Sequence, residues 1–314
     1  MFTLIGLPPK PGAAGLGPAT TVAIVERPAW FLEDQYPFES HWQELDGAQV
    51  HYLDEGEGPV LLMLHGNPTW SFLYRRMVPY LSDRFRCIAI DYPGFGLSKA
   101  PRGYGYTPAE HADVVGKFVD ALDLQDFTPV MQDWGGPIGL ATALERQDRV
   151  KAMILGNTWA WPRTDNATQR FASALGEGRT GEFLVDRANV FVNVFVRRAM
   201  RRRAPTGREM AMWRGPFPDQ ESRLPVRVFP RELTGSAAFL ASIQERLGEI
   251  ADKPTLLFWA DQDPGFRGTE KRRWESILTN RTGYILRHAG HYWQDDAGPE
   301  AALMIRYWWD QAGL

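Results

Sequence analysis

The chain has 314 residues and carries 35 Lys and Arg against 38 Asp and Glu, a net charge of −3 with histidine neutral, which excludes general nucleic-acid binding through a basic surface. Hydrophobic residues make up 44% and charged residues 23%, an ordinary globular balance that excludes global disorder and allows a large core in one or two domains. No run approaches the ~18 consecutive apolar residues of a membrane span, and the single cysteine, Cys87, cannot close an intrachain disulfide, so neither stable membrane insertion nor an oxidising compartment is expected and a cytoplasmic location is.

Residues 1–28 hold a short apolar patch with no basic leader, interrupted by Pro8, Pro9 and Pro11; this reads as an irregular extension rather than a signal peptide. From about residue 40, short apolar runs alternate with helical segments, the pattern of an α/β sheet. Strands are expected at 41–46 and 48–54, then at 60–66, where the continuous run VLLMLHG suits a strand covered on both faces. A helix is expected at 71–82, and a strand and turn at 85–94, which bury Cys87 as a structural thiol. Thr107, Pro108 and Glu110 supply an N-cap, a first-turn proline and a capping-box acid, so a helix should run to about 122. A strand at 127–133, a helix at 135–147 and a strand at 150–158 follow.

The alternation then breaks at Trp161-Pro162 and resumes at 254–263. Roughly ninety residues cannot be one loop inside a compact domain; they read as a helical cap inserted after the sixth strand. A strand at 282–287 and a helix at 299–311 close the chain. The expected division is an α/β core at 29–160 and 250–314, with the cap at 161–249. The arginines at 197, 198, 201, 202 and 203 read as a solvated helix face balanced by acids elsewhere. Asp295 and Asp296 read as helix-approach or surface residues.

The chemistry concentrates at Met131-Gln132-Asp133-Trp134-Gly135-Gly136, where an apolar strand runs through a sharp turn into a helix. An α/β-hydrolase places its nucleophile in such a strained turn, with small residues allowing close backbone approach. Here the central residue is Asp133, which also suits a plain helix N-cap. Three further segments favour the nucleophile. His65-Gly66-Asn67-Pro68 follows the strand from which the second oxyanion-hole N–H comes, and His65 is expected to brace that turn by hydrogen bonding. His291 follows the last strand, where the base belongs, with His288 as its competitor in a still regular strand. Asp263 follows the penultimate strand, with Asp261 as competitor. The order nucleophile, acid, histidine is that of the fold's triads.

At these residues the chain resembles the haloalkane dehalogenases of the α/β-hydrolase fold. HGNPTWSFLYR (65–75), DYPGFGLS (91–98), QDWGGPIG (132–139) and GHYWQDDAGPE (290–300) are similar to that family's signatures, and the resemblance covers about residues 36–310. It implies a mostly parallel eight-stranded sheet flanked by helices, with Asp133 as nucleophile, His291 as base and Asp263 as the acid orienting it. It also implies Asn67 and Trp134 as the halide-binding pair, their backbone N–H groups as oxyanion hole, and no metal or cofactor. The sixth strand ends Gly156-Asn157-Thr158-Trp159 without a carboxylate, so the chain resembles the subgroup whose acid follows the seventh strand. Met131 departs from the glycine often found two residues before a hydrolase nucleophile.

These residue types suit carbon–halogen cleavage. An ionised aspartate attacks sp³ carbon without a base, and two neutral donors stabilise the departing anion and still let it leave. The partners implied are a small apolar halogenated substrate, water and halide, with candidate cap-pocket residues Trp159, Phe183, Phe191 and Phe195. An epoxide hydrolase uses the same fold and nucleophile but needs acidic donors, usually cap tyrosines, and residues 160–252 contain no Tyr. Fluoroacetate-type dehalogenases grip a carboxylate with arginines, and this turn has Trp134 instead. A coelenterazine luciferase or a silent ligand-binding receptor of the same fold remains the alternative, separable by assaying light or ligand retention against halide release.

Overall fold

A computed structural model describes residues 27–163 and 183–314, together with Asp165, Ala167, Arg170, Phe171, Ala174, Leu175 and Gly181. The expected extension falls almost wholly outside the described residues. Eight strands form one sheet: β1 (His41–Leu45), β2 (Ala48–Glu55), β3 (Val60–Leu64), β4 (Arg86–Ile90), β5 (Thr128–Asp133), β6 (Met153–Thr158), β7 (Thr255–Ala260) and β8 (Arg281–Leu286). Their order is β1-β2-β4-β3-β5-β6-β7-β8, with antiparallel pairing only where β2 meets β1 and β4. The central strands are buried on both faces, which is why they read as continuous apolar runs rather than alternating ones.

Helices α1 (Pro108–Ala121) and α2 (Gly135–Leu144) pack on each other beside the sheet. The reciprocal capping box of Thr107 and Glu110 starts α1 where the sequence places it. The helix expected at 71–82 is instead two 3₁₀ turns, Ser71–Tyr74 and Val78–Tyr80. Pro79 disfavours α geometry at the preceding residue and offers no N–H, which favours interrupting the helix in this segment. Buried Asp91, at the end of β4, ties this segment down by accepting from Ser71 N at 2.7 Å and pairing with His51 Nδ1 at 2.7 Å.

Between β6 and β7 lie π-helical turns at Phe183–Arg187 and Phe191–Val196, then α3 (Gly207–Arg214), α4 (Leu224–Gly235) and α5 (Ala237–Arg246). Of these, α5 packs back on α2. Helix α6 (Gly268–Ile277), which the sequence reading passed over, joins β7 to β8, and α7 (Trp293–Asp296) and α8 (Gly298–Gln311) close the chain. Among the described residues no helix is long and apolar enough to cross a membrane.

Two sequence expectations need correction. Asp295 and Asp296 are buried, not superficial. Asp295 receives Arg75 at 2.6 Å and also pairs with Arg203, while Asp296 accepts from the backbone N–H groups of Gly290, Arg201 and Arg202, each at 2.8 Å. Abundant donors allow these carboxylates to stay in the interior. The arginine run is correspondingly not all solvated face: Arg203 bridges Glu209 and Asp295, and Arg202 pairs with Glu300.

Candidate active site

Asp133 ends β5 and has φ = 51°, so the chain turns through the left-handed region immediately before α2. This strained geometry lifts the carboxylate clear of the strand, as the sequence pattern requires of a nucleophile turn. Thr158 Oγ1 donates to the Asp133 carbonyl at 2.7 Å and holds the turn against β6. Gly66 lets the loop after β3 come close, since a Cβ there would stand 2.3 Å from Asp133 Oδ1. On the other side, Met131 is accommodated because Gly139 of α2 leaves room where a Cβ would lie 2.7 Å from its sulfur.

The backbone N–H of Asn67 donates to Asp133 Oδ1 at 2.9 Å, and the neighbouring Trp134 N–H also favours the ionised carboxylate. His65 keeps this loop in place with both ring nitrogens. Its Nδ1–H donates to Gly66 O at 2.9 Å, and Nε2 accepts from Tyr92 N at 3.1 Å. Burial lowers its pKa to about 4, so it is a neutral brace, as expected.

His291 faces the carboxylate from the loop after β8. Its Nδ1 lies 2.8 Å from Asp263 Oδ2 and its Nε2 lies 3.9 Å from Asp133 Oδ2. Asp263 is itself fixed by accepting from Gly265 N at 2.8 Å and Phe266 N at 3.3 Å. The competing pair goes elsewhere: Asp261 accepts from His288 N at 2.7 Å, and exposed His288 does not join the cluster. Phe266 lies nearly parallel to the His291 ring, with centroids 5.7 Å apart.

Electrostatically the cluster holds two carboxylates against one imidazole. Burial pushes the Asp133 carboxyl above its ordinary value, opposed by His291 and by the N–H groups of Asn67 and Trp134. Burial also disfavours charge on His291, but Asp263 and Asp133 outweigh it and lift the imidazole to about 8. A carboxylate accepting backbone N–H groups next to an acid-oriented histidine can act as a nucleophile whose ester that histidine then helps to hydrolyse.

Known proteins resemble this chain over most of its length. The alpha/beta hydrolase fold family matches residues 59–297. Haloalkane dehalogenase 2 of Mycobacterium tuberculosis is 40% identical over 272 residues, covering 86% of this chain and 94% of that protein. The chain belongs to the haloalkane dehalogenase family. The crystal structure of a putative ancestral haloalkane dehalogenase superposes with a TM-score of 0.76 at 28% identity, covering 85% of this chain and 99% of that one. A cis-3-alkyl-4-alkyloxetan-2-one decarboxylase of Xanthomonas campestris is 33% identical over 80% of this chain and 88% of its own length.

In this dehalogenase-family chain, Asp133 and Trp134 of one turn meet Asn67, His291 and Asp263 from three other loops at the carboxyl edge of the sheet. Of the expected pocket aromatics, Trp159 meets the Trp134 ring edge-on with centroids 4.7 Å apart. Phe183 is instead 63% exposed, because its π-helical turn directs Val185 and Asp186 inward. Phe191 and Phe195 pack on each other.

Sequence reasoning missed three neighbours. Gln132 Nε2 lies 3.0 Å from His291 Nε2, Tyr292 OH donates to Asn67 O at 3.3 Å, and Phe229 of α4 lies 5.4 Å from the Trp134 ring. The first two adjoin Asp133 and His291 in sequence, and that adjacency was the available signal. Phe229 had none, because α4 reaches the site only through tertiary packing.

Proposed function

We propose that the protein hydrolyses haloalkanes to an alcohol, halide and a proton, through an alkyl ester on Asp133. The observation carrying this reading is the arrangement around one carboxylate. Oδ1 is held by the Asn67 N–H, while Oδ2 faces His291 Nε2 at 3.9 Å, too far for a hydrogen bond. Oδ2 attacks the sp³ carbon, the carbon–halogen bond breaks, and the halide departs with its electron pair. The indole N–H of Trp134 and the side-chain amide of Asn67 stabilise that charge as it develops. Water then gives a proton to His291 Nε2 and adds to the ester carbonyl carbon. The N–H groups of Asn67 and Trp134 hold the resulting oxyanion until it collapses; the departing alkoxide takes the proton of the new carboxyl group and leaves as the alcohol, Asp133 is restored as a carboxylate, and the proton on His291 passes to solvent. Asp263, accepting from Nδ1–H, keeps Nε2 as the basic nitrogen and stabilises the imidazolium.

The insertion at 161–249 is proposed as the cap over this site, with α5 as its attachment to the core through α2, and a cytoplasmic location fits a reaction that needs no disulfide. The test is halide release from brominated, iodinated and chlorinated alkanes, with light emission from coelenterazine and decarboxylation of a cis-3-alkyl-4-alkyloxetan-2-one run alongside. Halide release that disappears in Asp133→Ala supports the reading. Ligand binding or either competing activity without halide release overturns it.

A further inference from the structure

The cap helix α4 contains a proline in its interior, Pro230, in a turn that is buried. A proline there has no N–H for the carbonyl four residues earlier, and its ring crowds that carbonyl out of line. The carbonyl in question belongs to Val226, and it is not left without a partner: Asn67 Nδ2 donates to it at 3.3 Å. Among the described residues, buried Asn67 Oδ1 has no hydrogen-bond partner. The main chain of Asn67 is separately fixed, by its N–H to Asp133 and its carbonyl to Tyr292 OH.

An asparagine amide can present either its donor end or its acceptor end, and the two ends have opposite value beside a halide. Were the amide turned over, Oδ1 and the Val226 carbonyl would face each other as two acceptors with no hydrogen between them. The Val226 carbonyl therefore fixes Nδ2 by one of its two hydrogens and leaves the other free. The same helix carries Phe229 against Trp134, so α4 meets both members of the halide pair.

We propose that Pro230 is a positioning residue: by withholding the helical N–H it frees the Val226 carbonyl to lock the Asn67 amide with its donor end toward the halide. This rests on the halide-binding role of Asn67 proposed above. Any other amino acid at 230 supplies an N–H that competes for the Val226 carbonyl and loosens the amide.

Bromide inhibition of steady-state turnover tests this in the wild type, Asn67→Ala, Pro230→Ala and the double variant, with the thermal midpoint of each. Pro230→Ala is expected to weaken bromide inhibition about tenfold, the scale of one hydrogen bond, while its midpoint stays or rises because the helix regains a bond. In that background, Asn67→Ala should add little. A further variant, with the α-hydroxy analogue of alanine at 230, has neither ring nor N–H and should inhibit like the wild type. Unchanged bromide inhibition in Pro230→Ala overturns the proposal, as does equal weakening in the α-hydroxy variant, which would assign the effect to the ring. If Asn67→Ala alone leaves bromide inhibition unchanged, the halide role of Asn67 has failed and this inference falls with it; if only the Pro230 variants behave like the wild type, that role stands and the positioning role does not.

Discussion

Two of the clusters of buried charge among the described residues are built differently. One joins Arg75 and Arg203 to Glu209 and Asp295, two cations against two anions, with Arg75 at 2.6 Å from Asp295 and 2.8 Å from Glu209. It fastens α3 of the insertion to the segments that flank the sheet, and the paired guanidinium groups hold Glu209 well below the ordinary carboxylate range despite the burial that opposes it. The other joins Asp133 and Asp263 to His291 alone. Here neutralisation is incomplete: burial raises Asp133, and His291 is lifted to about 8. A balanced cluster leaves no group poised to react, whereas an unbalanced one leaves a carboxylate and an imidazole in states that substrate can change.

The largest difference between them should appear on truncation. Asp133→Ala is expected to abolish halide release from 1-bromobutane while leaving thermal stability unchanged or higher, because it removes a carboxylate whose burial is unfavourable. Residual turnover above a few per cent would remove Asp133 from the nucleophile's role, and a large stability loss would make the two clusters alike. His291→Phe should stop multiple turnover but not the first displacement. With excess 1,2-dibromoethane it should release one bromide per site, and mass spectrometry should find the haloalkyl ester on a peptide containing Asp133. Continued turnover, or a stall with no adduct, would contradict the two-step route.

In the balanced cluster, Arg75→Ala leaves Asp295 and Glu209 buried and short of a partner, and should lower unfolding free energy by about 3–5 kcal/mol, measured by urea denaturation. A loss below about 1 kcal/mol would show that the cluster contributes little to the fold. Trp134→Phe keeps most of the apolar area and should slow bond cleavage by roughly 10²-fold, near 2.7 kcal/mol, read by single-turnover bromide release. Near-wild-type cleavage would take the indole N–H out of the reaction.

The pH dependence distinguishes the states of the unbalanced cluster. His291 must be neutral to accept a proton, so activity limited by ester hydrolysis falls as pH drops through the imidazole pKa. In the free protein that value is about 8, with Asp133 among the groups that raise it. Esterification removes the Asp133 charge, so the inflection for hydrolysis of the accumulated ester should lie below 8. An inflection in that step no lower than the one measured for the free protein would mean that Asp133 does not act on His291. The smallest effect is expected of Asp261→Asn, since the Asp261 carboxylate faces exposed Arg287 and His288 just past β8. Asp263→Asn, by contrast, should favour the wrong tautomer and sharply impair ester hydrolysis. The reverse ranking would transfer the orienting role.

Much of this was readable along the chain because it is local. The central strands announce themselves as apolar runs, α1 by its capping box, and Asp133 by a strand-to-helix turn rich in glycine, all determined by residues within a few positions of each other. The order of Asp133, Asp263 and His291 follows from the order of parallel strands, whose carboxyl ends share one edge of the sheet. Other features depend on distance. The segment 71–82 looks helical by apolar spacing, yet Pro79 breaks it, a local signal that periodicity outweighed. Asp295 and Asp296 look superficial because their partners, Arg75, Arg203 and the Arg201-Arg202 backbone, stand about ninety to two hundred and twenty residues away. The choice of Asp263 over Asp261, the exposure of Phe183, the approach of Phe229 to Trp134 and the grip of Val226 on Asn67 were likewise decided only by the tertiary structure. The sequence alone determined which residue types stood at the strand ends; the packing of distant segments decided which of them meet, because burial and hydrogen-bond partnership are set by chain segments that no local pattern encodes.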